Sequence, residues 1–208
     1  MMATLFIILT HSILIIMDEN RFDHYAGKNT LIVGGTLSDT SVNRTALLAN
    51  LIKDAIDNDY GNRISIIEMC PDKTSFKNIK FAAQLSEYID NLDEYNYIKP
   101  ETVHWPRIYA NNPKDAIKLS VQNSRSLIEC LDKYRKRPTK ILFVNELNFY
   151  LHMGTMHWLM KAIDKSTSFI GTCFRSKFPY TDYNTGISRR ERRLIDKLTH
   201  KVDSVITL

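Results

Sequence analysis

Arg44 and Thr45 follow a glycine pair, Gly34-Gly35, and the hydroxyl-rich run 36–42 in the stretch LIVGGTLSDTSVNRTALLANLI. A guanidinium beside a hydroxyl at the opening of a helix suits phosphate. The cation supplies several N–H donors, and the free backbone N–H groups of a helix start add to them. Glycines ahead of such a helix let the backbone wrap closely around an anion, and a Ser or Thr hydroxyl can reach Mg²⁺. Carboxylates appear at two other places where an apolar run gives way to polar residues, EMCPD at 68–72 and NE at 145–146. Together these residue types suit a phosphate-bearing ligand with carboxylates at the same edge; an ordinary helix cap and solvated loop carboxylates are the alternative reading.

Residues so far apart meet only if the fold carries them to one edge. Apolar runs of five or six residues alternate with longer amphipathic segments, the pattern of an α/β domain with a mainly parallel sheet. Strands are expected at 31–33, 64–69, 141–144, 168–172 and 204–208, giving about five strands with helices on both faces. Helices are expected at 45–58, around 77–92 and at 113–135. The last has Asn112 as cap, Pro113 in its first turn and Ile117, Val121, Ile128 and Leu131 along one stripe. A final helix is expected to open with Ser188 and Glu191 as a capping box and to turn Leu194, Ile195 and Leu198 inward. Segments 91–112 and 175–187 read as irregular excursions. In open α/β sheets the functional crevice lies beyond the carboxyl ends of the strands. Those ends deliver Gly34-Gly35, the 68–72 run, Asn145-Glu146 and Gly171-Thr172-Cys173.

The 208 residues, 44% hydrophobic and 25% charged, suit one globular domain, assigned to 17–208. A net charge of +5 and a pI near 9.0 leave room for an acidic partner without choosing among nucleotide, nucleic acid and anionic membrane. Cys70, Cys130 and Cys173 are far apart, form no CxxC pair and sit in apolar runs. That argues against a disulfide framework or zinc site and for a reducing, cytoplasmic setting. Residues 1–16 are nearly uncharged, too short to span a bilayer comfortably, and lack the basic start and cleavage site of an export signal. They read as an extension ahead of a translation start at Met17; an extra strand on the domain and weak membrane association are the alternatives.

The strand-turn-helix at 31–52 resembles the phosphate loop of the P-loop NTPases, closest in flavour to the dethiobiotin synthetase, ParA and MinD branch. SDTSVNRT at 38–45 is similar to the later part of the GTDTxVGKT loop of dethiobiotin synthetase. Asp39, Thr40, Val42 and Thr45 match, and Leu37, Asn43 and Arg44 stand where glycine, glycine and lysine would be. ILFVNE at 141–146 resembles a Walker B strand with Asn145 for the usual aspartate, and Pro71-Asp72 is loosely like the Asp-Pro segment of ParA relatives. The resemblance implies a three-layer P-loop fold, ATP or another nucleotide as ligand, and Mg²⁺. It places Gly35, Asp39, Thr40, Asn43, Arg44 and Thr45 on the phosphates and Thr45 and Asn145 near the metal. Glu146, with Asp72 second, falls at the attacking water.

Each departure has a physical consequence. Arginine keeps the charge and five donors, yet its planar fork is bulkier than a lysine ammonium. Asn43 tolerates positive φ better than other non-glycine residues but narrows the loop. Asn145 can hydrogen-bond a metal-bound water and brings no charge to hold the ion. Two functions are therefore expected in competition. One is nucleotide binding with an eroded loop and hydrolysis in question; the other is a non-catalytic scaffold or regulatory subunit acting through a protein partner or homodimer. DNA association, as in ParA-like or packaging ATPases, ranks third, and neither nucleic acid nor membrane is the expected partner.

Arg189, Arg190, Arg192 and Arg193 crowd the first turns of the final helix, where they could clamp a phosphate or acidic partner or form a solvated face. His152 and His157, five apart among Met153, Met156, Trp158 and Met160, do not share a helical face for a metal. That patch reads as core or protein interface.

Overall fold

The computed structural model describes residues 21–35, 39–175 and 180–208, the side chains of 39–42 excepted. The expectations for 1–16 and for Met17 lie outside the described residues. In chain order the elements are β1 (Asn29–Gly34), α1 (Asp39–Ala55), β2 (Ile64–Glu68), β3 (Ser75–Phe76), β4 (Ile79–Lys80), β5 (Asn96–Ile98), α2 (Pro106–Tyr109) and α3 (Pro113–Lys136). They continue with β6 (Ile141–Asn145), α4 (Asn148–Leu151), α5 (Met156–Ile163), β7 (Ser168–Phe174), α6 (Ile187–Thr199) and β8 (Ser204–Thr207). Six of the strands form one all-parallel sheet in the order β5-β2-β6-β7-β1-β8. β7 thus lies between the strand that leads to Arg44 and the strand that ends at Asn145-Glu146.

A parallel sheet is covered on both faces, so its strands read as continuous apolar runs. β2, β6 and β7 are buried along their whole length. Side chains alternate between two cores with period two. Leu31, Leu142, Val144 and Phe169 meet α3, α5 and α6 on one face, while Ile32, Ile66, Phe143 and Ile170 meet α1 on the other. The result is a three-layer α/β fold. Gly171 on β7 sits where facing side chains leave no room, since a Cβ there would lie 2.6 Å from Phe169 Cζ and 2.9 Å from Leu147 Cδ1. Gly171→Ala is expected to cost about 1–3 kcal/mol by overpacking, read as a lower urea midpoint.

All five expected strands are present, with ends shifted by at most two residues. The sixth, β5, emerges from the 91–112 excursion and pairs with β2, fixed by Asn96 Nδ2 donating to Ser65 Oγ at 2.6 Å. Three residues are too few to show a period. The helix expected around 77–92 is absent. Lys77 and Asn78 both adopt positive φ, 49° and 61°, and close the β3–β4 hairpin as a two-residue turn. Short 3₁₀ turns at Leu85–Glu87 and Leu92–Glu94 follow.

α3 is capped as expected, with Asp115 N donating to Asn112 Oδ1 at 3.0 Å. Its inward stripe matches the expected one only in part. Leu131 is buried and Ile128 packs on the core as expected, but Ile117 is 40% exposed, and Ala116, Ser120, Asn123, Leu127, Cys130 and Tyr134 are buried as well. Polar residues can face inward because they are bonded. Asn123 clamps the backbone of His104 with two 2.8 Å bonds, and Ser120 Oγ donates to Ala116 O at 2.8 Å. The capping box expected at Ser188 and Glu191 does not form. Gly186, at φ 80°, is the N-cap of α6, Asp182 Oδ2 accepts from Ser188 N at 3.2 Å, and Glu191 is drawn inward by another partner.

Candidate functional site

Arg44, in the second turn of α1, is fully buried, and its stem lies across the end of β1. A Cβ at Gly34 would lie 3.0 Å from Arg44 Cγ and Cδ, so a larger residue there would press on the Arg44 stem. The guanidinium donates to the Gly35 carbonyl and, at 2.8 Å, to Glu146 Oε1. The ring of Phe174, the last residue of β7, faces it at 5.7 Å. Glu146 is also fully buried and takes a left-handed backbone, φ 58°. For a non-glycine residue that costs roughly 1–3 kcal/mol. Its N–H donates to Thr172 Oγ1 at 2.8 Å, which holds the turn and aims the carboxylate back across β7. Two atoms of this pair, Arg44 Nε and Glu146 Oε2, are buried without a hydrogen-bond partner.

Thr45 and Asn145 meet beside it. Thr45 Oγ1 lies 3.2 Å from Asn145 Oδ1 and 3.3 Å from Ala83 O, and Thr172 Oγ1 donates to the same Asn145 oxygen at 2.9 Å. Asn145 Nδ2 donates to Glu68 Oε1 at 2.9 Å. Glu68 accepts two further bonds, from Cys70 N at 3.0 Å and Leu85 N at 2.8 Å. Burial pushes the Glu68 carboxyl up to about 7 against the pull of these donors. The donor set suits Mg²⁺ poorly: the Asn145 oxygen is taken by two hydroxyls, its amide carries no charge, and the oxygens of Glu68 are engaged. Among the described residues no group of three or more His, Cys, Asp and Glu is placed to hold a metal.

Of the residues singled out in the sequence, Gly35, Arg44, Thr45, Asn145 and Glu146 converge on one buried cluster. Asn43 does not join it: it is exposed within α1, without the positive φ a loop position would need. Asp39 and Thr40 open α1, six residues before the expected helix start, and their side chains lie outside the described residues. Asp72 is exposed and accepts from Gln84 Nε2 at 3.0 Å rather than facing the cluster. Glu146, expected beside water, is instead held against Arg44.

Phe174 has a second cation on it. Arg107, from α2, sits 5.5 Å from the ring and forms a two-pronged pair with Glu191, at 2.8 and 3.2 Å. Asn148 Nδ2 donates to Glu191 Oε1 at 2.7 Å, and His152 Nε2 lies 3.1 Å from Arg107 Nη2. Burial alone would raise the Glu191 carboxyl, but Arg107 and His152 outweigh it and hold Glu191 down at about 2. Burial lowers His152, with Glu191 pulling the other way. A cavity of about 230 Å³ opens onto this pair, lined also by Arg175, Tyr180, Ser188 and Arg192. Sequence reasoning missed Arg107 as a site residue, and it placed the runs of Glu68 and Thr172 at the strand ends without giving either residue a role. Glu68 and Thr172 carried a signal, as polar residues ending apolar runs; Arg107, inside an irregular excursion, carried none.

No helix among the described residues is long and apolar enough to cross a membrane. The chain matches no protein-family model, and no curated protein matches it significantly.

Proposed function

We propose that this domain binds the phosphate tail of a nucleotide at Arg44, and that the Arg44–Glu146 pair is the closed state of that site. One observation supports this above all: Arg44 and Glu146, 102 residues apart and separated in the sheet by β7, are brought into a 2.8 Å contact at the carboxyl ends of the strands. A phosphate reaching Arg44 would replace one anion by another on the same guanidinium. Glu146 would then be released as the carboxylate nearest the reacting centre, able to accept a proton from an attacking water. Binding and turnover are thus coupled through one exchange of partners.

The test is thermal unfolding with ATP, GTP, ADP or GDP, in the parent and in Arg44→Met/Glu146→Leu, which removes both charges together. Saturating ligand is expected to raise the parent midpoint by about 5–10 °C and to leave the double variant unmoved. Glu146→Gln, which removes the competing anion, is expected to bind about tenfold more tightly and to lose any hydrolysis. Absence of a shift at millimolar nucleotide would overturn this reading. It would favour the second one, a P-loop-derived scaffold without turnover, which draws support from the uncharged Asn145 and from the completeness with which Arg44 fills the end of β1.

A further inference from the structure

Around the cavity at the carboxyl-end face lie features that the nucleotide reading leaves unused. Arg189, Arg192 and Arg193 stand at i, i+3 and i+4 of α6, so they share one helical face, and all three are exposed. The acids of the same helix have other partners, Glu191 with Arg107 and Asp196 with Arg175 at 2.6 Å, although Asp196 lines the same groove as the three arginines, as does Asp182, whose carboxylate accepts from the backbone N–H groups of Asn184 and Ser188. Cations in the first turns oppose the positive end of the helix dipole, and like charges four apart repel. Local arrangements that cost stability are where function is to be sought.

An aromatic shelf adjoins this face. Tyr180 lines the cavity with Arg192 and packs edge-on against Phe76, centroids 5.6 Å apart; Phe76 packs in turn against Tyr109 at 6.0 Å. Tyr109 is 42% exposed, and Lys77 Nζ lies 5.5 Å from the Phe76 ring. Guanidinium groups that follow a phosphate backbone, beside rings on which a base can stack, are the combination that suits single-stranded nucleic acid. A duplex keeps its base faces stacked, whereas a single strand presents a π-face with every phosphate.

We propose that this face binds single-stranded nucleic acid, with backbone phosphates on Arg189, Arg192 and Arg193 and a base on the shelf of Phe76, Tyr109 and Tyr180. None of these residues belongs to the Arg44–Glu146 pair, so this proposal and the nucleotide reading fail separately. The test is fluorescence anisotropy of a short labelled oligo-deoxythymidine with the full chain, over a salt series. Binding is expected at low salt, with log affinity falling against log salt with a slope of about −2 for three phosphate contacts. Arg189→Glu/Arg192→Glu/Arg193→Glu should weaken it by ~100-fold or more, and Tyr109→Ala by about 5- to 100-fold. The same three positions changed to Gln give a milder variant, and an unchanged thermal midpoint certifies its fold. No binding at low salt, or affinity untouched by the arginine changes, would overturn the proposal. So would equal affinity for a duplex with indifference to Tyr109→Ala, which is charge attraction alone, or binding to phosphatidylserine vesicles where the oligonucleotide fails.

Discussion

Arg44→Met is expected to lower folding stability by about 3–5 kcal/mol, because it strands the Glu146 carboxylate in a fully buried site with no counter-charge. Both members of the pair are sealed from water, so neither can recover by rehydration without opening the end of the sheet. Changing both together, Arg44→Met/Glu146→Leu, should recover most of that loss, since an apolar pair of similar volume has no desolvation cost to offset. Urea unfolding of the four proteins in the double-mutant cycle measures the coupling directly. A single variant as stable as the parent would mean that the pair is hydrated in solution, and the closed state would then have no energetic basis.

The same cycle bears on function. Arg44 Nε and Glu146 Oε2 lack hydrogen-bond partners, so the closed pair leaves part of its polar capacity unused. The left-handed turn at Glu146 adds strain that only Thr172 and the surrounding packing hold in place. A phosphate with three oxygens could satisfy the Arg44 donors more completely than one carboxylate oxygen does. An exchange of anions is therefore cheaper than breaking a fully satisfied ion pair would be, and this makes the closed state compatible with a ligand site.

The sequence made the layering legible because each long strand is a buried apolar run and each long helix carries a cap or a stripe. Ile64, Ile141 and Ser168 begin strands as expected, and Asn112 caps α3. Short elements escaped for the opposite reason. β5 is three residues long, and in the 77–92 segment the turn at Lys77-Asn78 has no glycine to mark it; Asn78, which tolerates positive φ, is the one hint, and Lys77 gives none. Within the site, Arg44, Thr45, Asn145 and Glu146 were legible as polar residues at strand and loop ends. What could not be read was their contact partners. The pairing of Arg44 with Glu146, and of Arg107 with Glu191, depends on strand order, and β7 between β1 and β6 is a tertiary fact.

Stability is expected to peak near pH 5 and to fall on both sides, through two buried carboxyls with opposite shifts. Glu191 is held at about 2 against an ordinary 4.5, so its contribution is present above 4.5 and is lost as pH falls from 4.5 toward 2, by about 3 kcal/mol. Glu68 is raised to about 7, so between 4.5 and 7 the folded state keeps a proton that the unfolded chain has released. Its contribution is complete below 4.5 and declines by about 3 kcal/mol as pH rises to 7, with no further change above. His152, lowered by burial, works the other way over part of this window, because folding favours its neutral form as pH rises toward 6.5. The net slope between pH 5 and 7 is therefore smaller than that of Glu68 alone. Comparing parent with Glu68→Gln isolates the carboxyl, since His152 and Glu191 are common to both. Urea unfolding at pH 5 and pH 7 should show the variant losing less stability across that interval than the parent, by about 2 kcal/mol. Equal losses would place the Glu68 proton elsewhere and show that its three N–H donors, rather than its burial, set its charge in the folded domain.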